Sequence, residues 1–98
     1  MNKFTKEIHN TFAGTYLVKF GAPWCGPCRQ MSPTIEAMDE EGYNVYDVNI
    51  DEDTEELAQA FGIRSVPTTI IISNKEIVET LVGVQTKEKL IKLLKGEK

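Results

Sequence analysis

The stretch Trp24-Cys25-Gly26-Pro27-Cys28 holds both cysteines of the chain, separated by two residues. It follows an apolar run, Tyr16-Leu17-Val18-Lys19-Phe20, and precedes a segment with helical periodicity. The side chains that share one face of that helix follow at steps of three, four and three residues: Cys28, Met31, Ile35 and Met38. Because an α-helix advances about 100° per residue, these four form one narrow stripe. The pattern predicts a strand, then a helix that begins at the cysteines and ends near Gly42.

The remaining segments predict more strands and helices in alternation. Further strands are predicted at 44–49, 68–72 and 76–82, the last two joined by a turn at 74–75. Further helices are predicted within 1–15 after a short strand or coil, at 57–61, and from 86 to 94 with Thr86 as cap. Such an order packs most simply as an α/β fold. We expect a mixed central β-sheet of four or five strands flanked by helices on both faces.

The composition is that of a globular protein, and we expect residues 1–98 to form a single domain. Apolar residues make up 41% of the chain and charged residues 27%. The net charge of −4 argues against a nucleic-acid partner, which would need clustered lysine and arginine side chains. The basic residues that do cluster are interpreted as the solvated face of the last helix: Lys87, Lys89, Lys92, Lys95 and Lys98.

No membrane or export signal is visible in the sequence. No run approaches the roughly 18 apolar residues that suggest a membrane span. Residues 1–7 are too polar for a signal peptide. We therefore expect a cytoplasmic protein. In a reducing compartment a close cysteine pair is catalytic or metal-binding more often than structural.

Two cysteines at this spacing allow three interpretations. Structural zinc needs four ligands, and beyond the pair the chain offers one histidine, His9, so a zinc site would require a dimer. A purely structural disulfide would close a very short loop and stabilise little. The third interpretation of the pair, a redox-active dithiol with no metal, is the one that we favour.

The acidic segment 51–56 offers a separate alternative, a calcium-binding loop. Its sixth residue, Glu56, argues against this, because such a loop needs glycine at that position.

Helical spacing makes the two thiols unequal. Cys28 lies on the core-facing stripe, whereas Cys25 sits at or before the first turn and is expected to be exposed. A thiol at a helix N-terminus has a lowered pKa because unpaired N–H groups and the helix dipole favour the thiolate. The spacing therefore predicts that Cys25 attacks a substrate disulfide and that Cys28 resolves the mixed disulfide.

The Trp-Cys-Gly-Pro-Cys motif at 24–28 resembles the active site of the thioredoxin family. Pro33 and the stretch Ile63-Arg64-Ser65-Val66-Pro67-Thr68 match the family as well, so the resemblance runs from about residue 16 to residue 94. It implies the thioredoxin fold and a cis peptide bond before Pro67, facing the cysteines. It also implies an apolar substrate-binding surface made of Trp24, Gly26, Pro27, Val66, Pro67, Gly83 and Val84.

Three positions depart from the family pattern. The segment before the first long strand is short, so the first strand should be reduced. Gly21 stands where the family usually has tryptophan. Lys19 stands where the family usually has a buried aspartate that helps to deprotonate the second cysteine, and Asp47 aligns with a position that is lysine in some members. We expect a swapped Lys19–Asp47 pair, with either side chain as the proton acceptor of Cys28, since a lone buried ammonium is costly.

The resemblance implies a protein-disulfide reductase that acts as a monomeric dithiol electron donor. Its implied partners are disulfide-bearing proteins such as ribonucleotide reductase or peroxide-detoxifying proteins, with thioredoxin reductase or a glutaredoxin system as electron source. Two alternatives stay open: a glutaredoxin-like protein recharged by glutathione, and an accessory binding subunit in which the cysteines are dispensable. The redox-active Cys25–Cys28 pair is expected to need no cofactor.

Overall fold

A five-stranded mixed β-sheet forms the centre of the computed structural model, which describes residues 2–96. The strands are β1 (Asn2–Lys3), β2 (Thr15–Gly21), β3 (Val45–Asn49), β4 (Thr68–Ser73) and β5 (Glu76–Val82), in the order β1-β3-β2-β4-β5. Strands β1 and β2 run parallel to β3, and β4 runs antiparallel to both β2 and β5. The predicted mixed sheet is confirmed, and its first strand has the expected reduced length of two residues.

Four α-helices cover the sheet: α1 (Lys6–Thr11), α2 (Gly26–Glu40), α3 (Leu57–Ala60) and α4 (Lys87–Leu94). Each predicted helix is present, and Thr86 caps α4 by accepting a hydrogen bond from the backbone N–H of Lys89. Lys98, the last member of the predicted basic helix face, lies outside the described residues. No helix within residues 2–96 is long and apolar enough to cross a membrane.

Helix α3 begins at the predicted residue, and the acidic segment before it explains where it starts. A 3₁₀ turn occupies Ile50–Glu52, and Glu56 has the left-handed value φ = 55° directly before the helix. The Asp53 carboxylate accepts hydrogen bonds of 2.8 Å from the backbone N–H groups of both Leu57 and Ala58. The acidic residues therefore end one turn and begin the next helix.

Strand β2 is buried on both faces, as its apolar run predicts. Its alternate residues enter two separate hydrophobic cores. The core on the side of α1 and α3 contains Phe4, Tyr16, Val18, Phe20, Val48, Leu57, Ile70 and Ile72. The core on the side of α2 and α4 contains Leu17, Met31, Ile35, Met38, Val45, Ile71 and Leu90. The helical stripe that follows Cys28 is thus confirmed as core, and it anchors α2 over the sheet.

A tight hairpin joins β4 to β5 at Asn74 and Lys75. Both residues have positive φ, 52° and 68°, which is the backbone that matches the twist of two paired strands. The predicted hairpin is therefore present. It leaves β5 at the edge of the sheet and brings the end of β5 back toward the start of β4, where Gly83 N–H donates to the carbonyl of Pro67 at 2.9 Å.

Candidate active site

The two cysteines lie at the start of α2, at the edge of the sheet where β2 ends. They form a disulfide, with their Cα atoms 5.2 Å apart. Cys25 is the N-cap of α2, and its Sγ accepts a hydrogen bond from the backbone N–H of Cys28 at 3.2 Å. Pro27 occupies the first turn, where its missing N–H costs nothing. The predicted helix start is confirmed, and the dipole of a 15-residue helix points its positive end at Cys25.

The expected exposure of Cys25 is wrong. Cys25 is only 6% exposed and Cys28 only 2%, so both sulfur-bearing residues are buried in the oxidised protein. Ala22 and Val66 pack around the pair. What distinguishes the thiols is their surroundings. Cys25 Sγ lies 3.7 Å from the carbonyl oxygen of Val66, while Cys28 lies beside the polar side chains of Lys19 and Ser32.

The loop before β4 forms a wall beside the disulfide. The Val66–Pro67 peptide bond is cis, as the resemblance implied. The hydrogen bond from Gly83 to the Pro67 carbonyl brings the end of β5 against this loop. Gly83 has φ = 89°, a conformation that favours glycine, and the next residue, Val84, is 45% exposed. The structure therefore gathers four residues of the expected substrate surface at one edge: Val66, Pro67, Gly83 and Val84.

Trp24, directly before Cys25, projects into solvent. It is 66% exposed, and its Nε1 donates to both carboxylate oxygens of Asp51, at 3.1 and 3.3 Å. Asp51 was missed by the sequence reasoning. The signal that could have found it is topological: Asp51 follows β3, and the carboxyl ends of the parallel strands β2 and β3 meet at the same edge.

A groove runs from the tryptophan to the cis-proline loop. It has a volume of about 360 Å³ and is lined by Trp24, Ile50, Ala58, Ile63, Arg64, Ser65 and Val66. Its lining is mainly apolar and continuous with the exposed tryptophan ring. An extended segment of another protein could therefore lie beside the disulfide along this groove.

Lys19 and Asp47 face one another across β2 and β3 in the same register position. Lys19 is only 6% exposed. Its Nζ donates to the carbonyl of Cys28 at 2.9 Å and to Oγ of Ser32 at 3.0 Å, so its hydrogen bonds go to α2 and not to Asp47. Ser32 is a second neighbour that the sequence reasoning missed. Both ionisable groups line a cavity of about 180 Å³ that Cys28 also borders.

Burial moves both pKa values toward the neutral forms. Desolvation lowers the pKa of Lys19, and the carboxylates of Asp47 and Glu36 oppose that change. Desolvation likewise raises the pKa of Asp47, against the nearby cations Lys19 and Lys3. Each of the two side chains therefore favours the charged form of the other, next to the second cysteine.

Gly21 leaves space where the active site meets β2. A Cβ atom built on Gly21 would lie 3.3 Å from Cys28 Sγ and 3.4 Å from Lys19 Cε. A side chain at this position would therefore crowd Cys28 and contact Lys19.

A metal centre finds no support in the described part of the chain. Among residues 2–96, no three His, Cys, Asp or Glu side chains lie together in a way that could hold a metal ion. The cysteine pair is instead bonded to itself, which is the oxidised form of a dithiol redox centre.

Comparison with known proteins identifies the family. The family model of thioredoxin matches residues 1–96. Thioredoxin from Bacillus subtilis is 42% identical over 86 residues, which cover 86% of this chain and 83% of that protein. Thioredoxin from Porphyra purpurea is 44% identical over 90 residues, which cover 89% of this chain and 82% of that protein.

Solved structures agree with the sequence comparison. A mutant thioredoxin from Halobacterium salinarum superimposes with a TM-score of 0.83 at 32% identity, covering 97% of this chain and 86% of that one. A thioredoxin from Nicotiana alata gives 0.80 at 31% identity, with 95% and 84% covered. The chain therefore belongs to the thioredoxin family, and it is a thiol–disulfide oxidoreductase that reduces protein disulfides through the Cys25–Cys28 redox centre.

Proposed function

We propose that Cys25 is the attacking thiol and Cys28 the resolving thiol of this reductase. The observation that carries the proposal is the place of Cys25 as N-cap of α2, with its Sγ accepting the N–H of Cys28. That N–H and the helix dipole stabilise a thiolate on Cys25 once the disulfide is reduced. Cys28 does not cap the helix, because it lies within the first turn and on the core-facing side of the helix.

The proposed reaction transfers two electrons in two exchange steps. The Cys25 thiolate bonds to one sulfur of a substrate disulfide, and the other substrate sulfur leaves as a thiolate. The Cys28 thiolate then bonds to Cys25 Sγ and displaces the second substrate sulfur. The substrate leaves as a dithiol, and the protein is left with the Cys25–Cys28 disulfide. A reductase must return two electrons before the next cycle.

Lys19 and Asp47 are proposed to control the deprotonation of the Cys28 thiol. Cys28 must lose a proton before it attacks, and these two ionisable side chains border the same cavity as Cys28. Burial raises the pKa of the Asp47 carboxyl, which makes its carboxylate a better proton acceptor than an ordinary aspartate. We therefore infer that Asp47 takes the proton while Lys19 keeps its charge.

The substrate is proposed to bind as an extended segment across the edge of the sheet. The binding surface comprises Trp24, Gly26, Pro27, Val66, Pro67, Gly83 and Val84. Backbone groups of Val66 would pair with the segment as a strand pairs with a sheet edge, which places its disulfide near Cys25. Main-chain pairing of this kind accepts many sequences, as a general protein-disulfide reductase requires.

Trp24→Ala is expected to weaken binding of a protein disulfide more than it slows the chemistry. An exposed aromatic ring beside a binding groove commonly contributes more than 1 kcal/mol, so KM for insulin should rise about five- to tenfold. Reduction of a small aromatic disulfide, which does not reach the groove, should change less than about twofold. Ile77→Ala is the matched control, because Ile77 is an exposed apolar residue near the start of β5, away from the end of β5 that meets the cis-proline loop. Equal loss on both substrates would remove Trp24 from protein recognition.

The partners of the cycle are proposed from family membership. Disulfide-bearing enzymes such as ribonucleotide reductase and peroxide-detoxifying proteins are the proposed substrates. A thioredoxin reductase is the proposed electron source, with a glutaredoxin system as the other candidate. We also infer that residues 1–98 act as one monomeric domain in the cytoplasm and that the cysteine pair works without a cofactor.

Insulin reduction driven by each electron source in turn tests this proposal. NADPH with thioredoxin reductase is expected to sustain turnover, whereas glutathione with glutathione reductase and glutaredoxin should give less than about a tenth of that rate. We expect this order because the family model and the relatives that match the chain are thioredoxins. Turnover only with glutathione would overturn the assignment of electron source. Full biological activity of a Cys25→Ser, Cys28→Ser double variant would instead show a binding subunit.

A further inference from the structure

Lys19 is held against the backbone of Cys28 by hydrogen bonds in which Lys19 can only be the donor. Oγ of Ser32 donates its proton to the Cys28 carbonyl at 3.1 Å, so it can only accept from Lys19. The Cys28 carbonyl is also an acceptor. Lys19 therefore donates two protons to the first turns of α2, and an ammonium keeps a third N–H bond for the cavity beside them.

The lysine and the sulfur of Cys28 contact the same vacant position. Lys19 Cε and Cys28 Sγ lie 3.4 and 3.3 Å from the point where a Cβ of Gly21 would stand. Because glycine has no side chain, no atom of Gly21 fills this position beside the lysine and the sulfur. Lys19 is 6% exposed and Cys28 2%, and Lys19 Nζ lies 2.9 Å from the Cys28 carbonyl oxygen, so a charge on Lys19 acts on Cys28 where water screens it poorly.

The other charged groups around this cavity lie on β3, β1 and α2. Asp47, on β3, borders the cavity. Its register partner Lys3, on β1, lies on the side of Asp47 that is away from Lys19. On α2, Arg29 lines the cavity, and Glu36 acts on Lys19. The β4 partner of Lys19 is Thr69, which carries no charge. Among these described groups, Lys19 is the one that hydrogen-bonds to Cys28, at its backbone carbonyl.

We propose that Lys19 is a positioning residue whose ammonium group stabilises the Cys28 thiolate, so that a buried cation prepares the resolving thiol for attack. The proposal rests on the resolving role given to Cys28 above. It assigns opposite tasks to the two buried charges, because Lys19 favours the thiolate and Asp47 receives the proton. Gly21 belongs to the same arrangement, since a side chain there would crowd Cys28 and contact Lys19.

The test measures the pKa of Cys28 alone, in a Cys25→Ser background, from the ultraviolet absorbance of its thiolate. Adding Lys19→Met removes the charge but keeps a side chain of similar length. The proton affinity of Cys28 should then rise about tenfold, which is a pKa higher by about one unit. Lys3→Met removes a cation from the other flank of Asp47 and is the matched control, with an expected change of less than about 0.3 units.

Lys19→Arg separates charge from shape, because a guanidinium stays protonated and cannot serve as a base. It should keep the Cys28 pKa closer to that of the parent than Lys19→Met does. A Cys28 pKa that is unchanged in folded Lys19→Met, or that rises equally in the Arg and Met variants, overturns the proposal.

Lys19→Gln provides a second measurement in case the methionine variant does not fold. It removes the charge but keeps an amide that can donate to the Cys28 carbonyl and to Ser32, so the Cys28 pKa should rise as in Lys19→Met, and an unchanged pKa would contradict the proposal. These titrations involve no substrate or reductase. They can therefore fail while Cys25 and Cys28 keep their proposed roles, and those roles can fail in turnover assays while the titration result stands.

Discussion

Cys28→Ser is expected to turn the protein from a catalyst into a trap for its substrates. Cys25 can still attack a disulfide, but no second thiol is present to release the product, so a mixed disulfide through Cys25 should accumulate. Multiple-turnover reduction of insulin should fall by at least about a thousandfold, as when one member of a catalytic unit is removed. Non-reducing electrophoresis and mass spectrometry of the adduct would identify the linked cysteine.

Cys25→Ser is the matched control, because it leaves Cys28 as the single thiol. Cys28 is 2% exposed and lies on the buried face of α2, so this variant should form little adduct within the same time. The comparison matters because the exposed fractions of the two cysteines differ so little. Adduct formation at equal rates in both variants would show that helix capping does not select the attacking thiol.

Ile70→Ala is expected to have the largest effect on stability. Ile70 is fully buried in the middle of β4, between β2 and β5, and belongs to the core on the side of α1 and α3. Truncating a buried isoleucine removes transfer free energy and leaves a cavity, which together cost about 2–5 kcal/mol. The free energy of unfolding in urea, with the slope compared between variants, measures the loss.

Val78→Ala is the control for this substitution, since it also shortens a β-branched residue in a strand. Val78 is 54% exposed on the edge strand β5, and its truncation should change the free energy of unfolding by less than about 0.5 kcal/mol. Similar losses in the two variants would mean that the stability of the sheet does not depend on the core that Ile70 fills.

Local sequence patterns were sufficient for most of the fold. The stripe from Cys28 to Met38 predicted both the bounds of α2 and the face that it buries. The apolar runs of β2 and β4 predicted strands covered on both sides, and the pair Asn74-Lys75 predicted the hairpin. Each of these features depends on residues close together in the chain, whose periodicity states which side chains must share a face.

The tertiary contacts around the cysteines could not be predicted in this way. Spacing placed Cys25 outside the helix stripe and so suggested exposure, but the loop of Val66 covers it. The partner of Trp24 is Asp51, which follows a different strand. The lysine predicted to pair with Asp47 donates its hydrogen bonds to Cys28 and Ser32 instead.

The sequence by itself therefore determined the motif, its family and the order of strands and helices, because these follow from residue types at short spacing. Only the tertiary structure decided what surrounds the two sulfurs. Strand β2, helix α2 and the loop before β4 bring together groups that are 9 to 41 residues apart in the chain. Such contacts depend on how whole elements pack. In Trp24-Cys25-Gly26-Pro27-Cys28 the chain encodes a reactive pair, and its packing against Lys19 and Val66 gives the two thiols different surroundings.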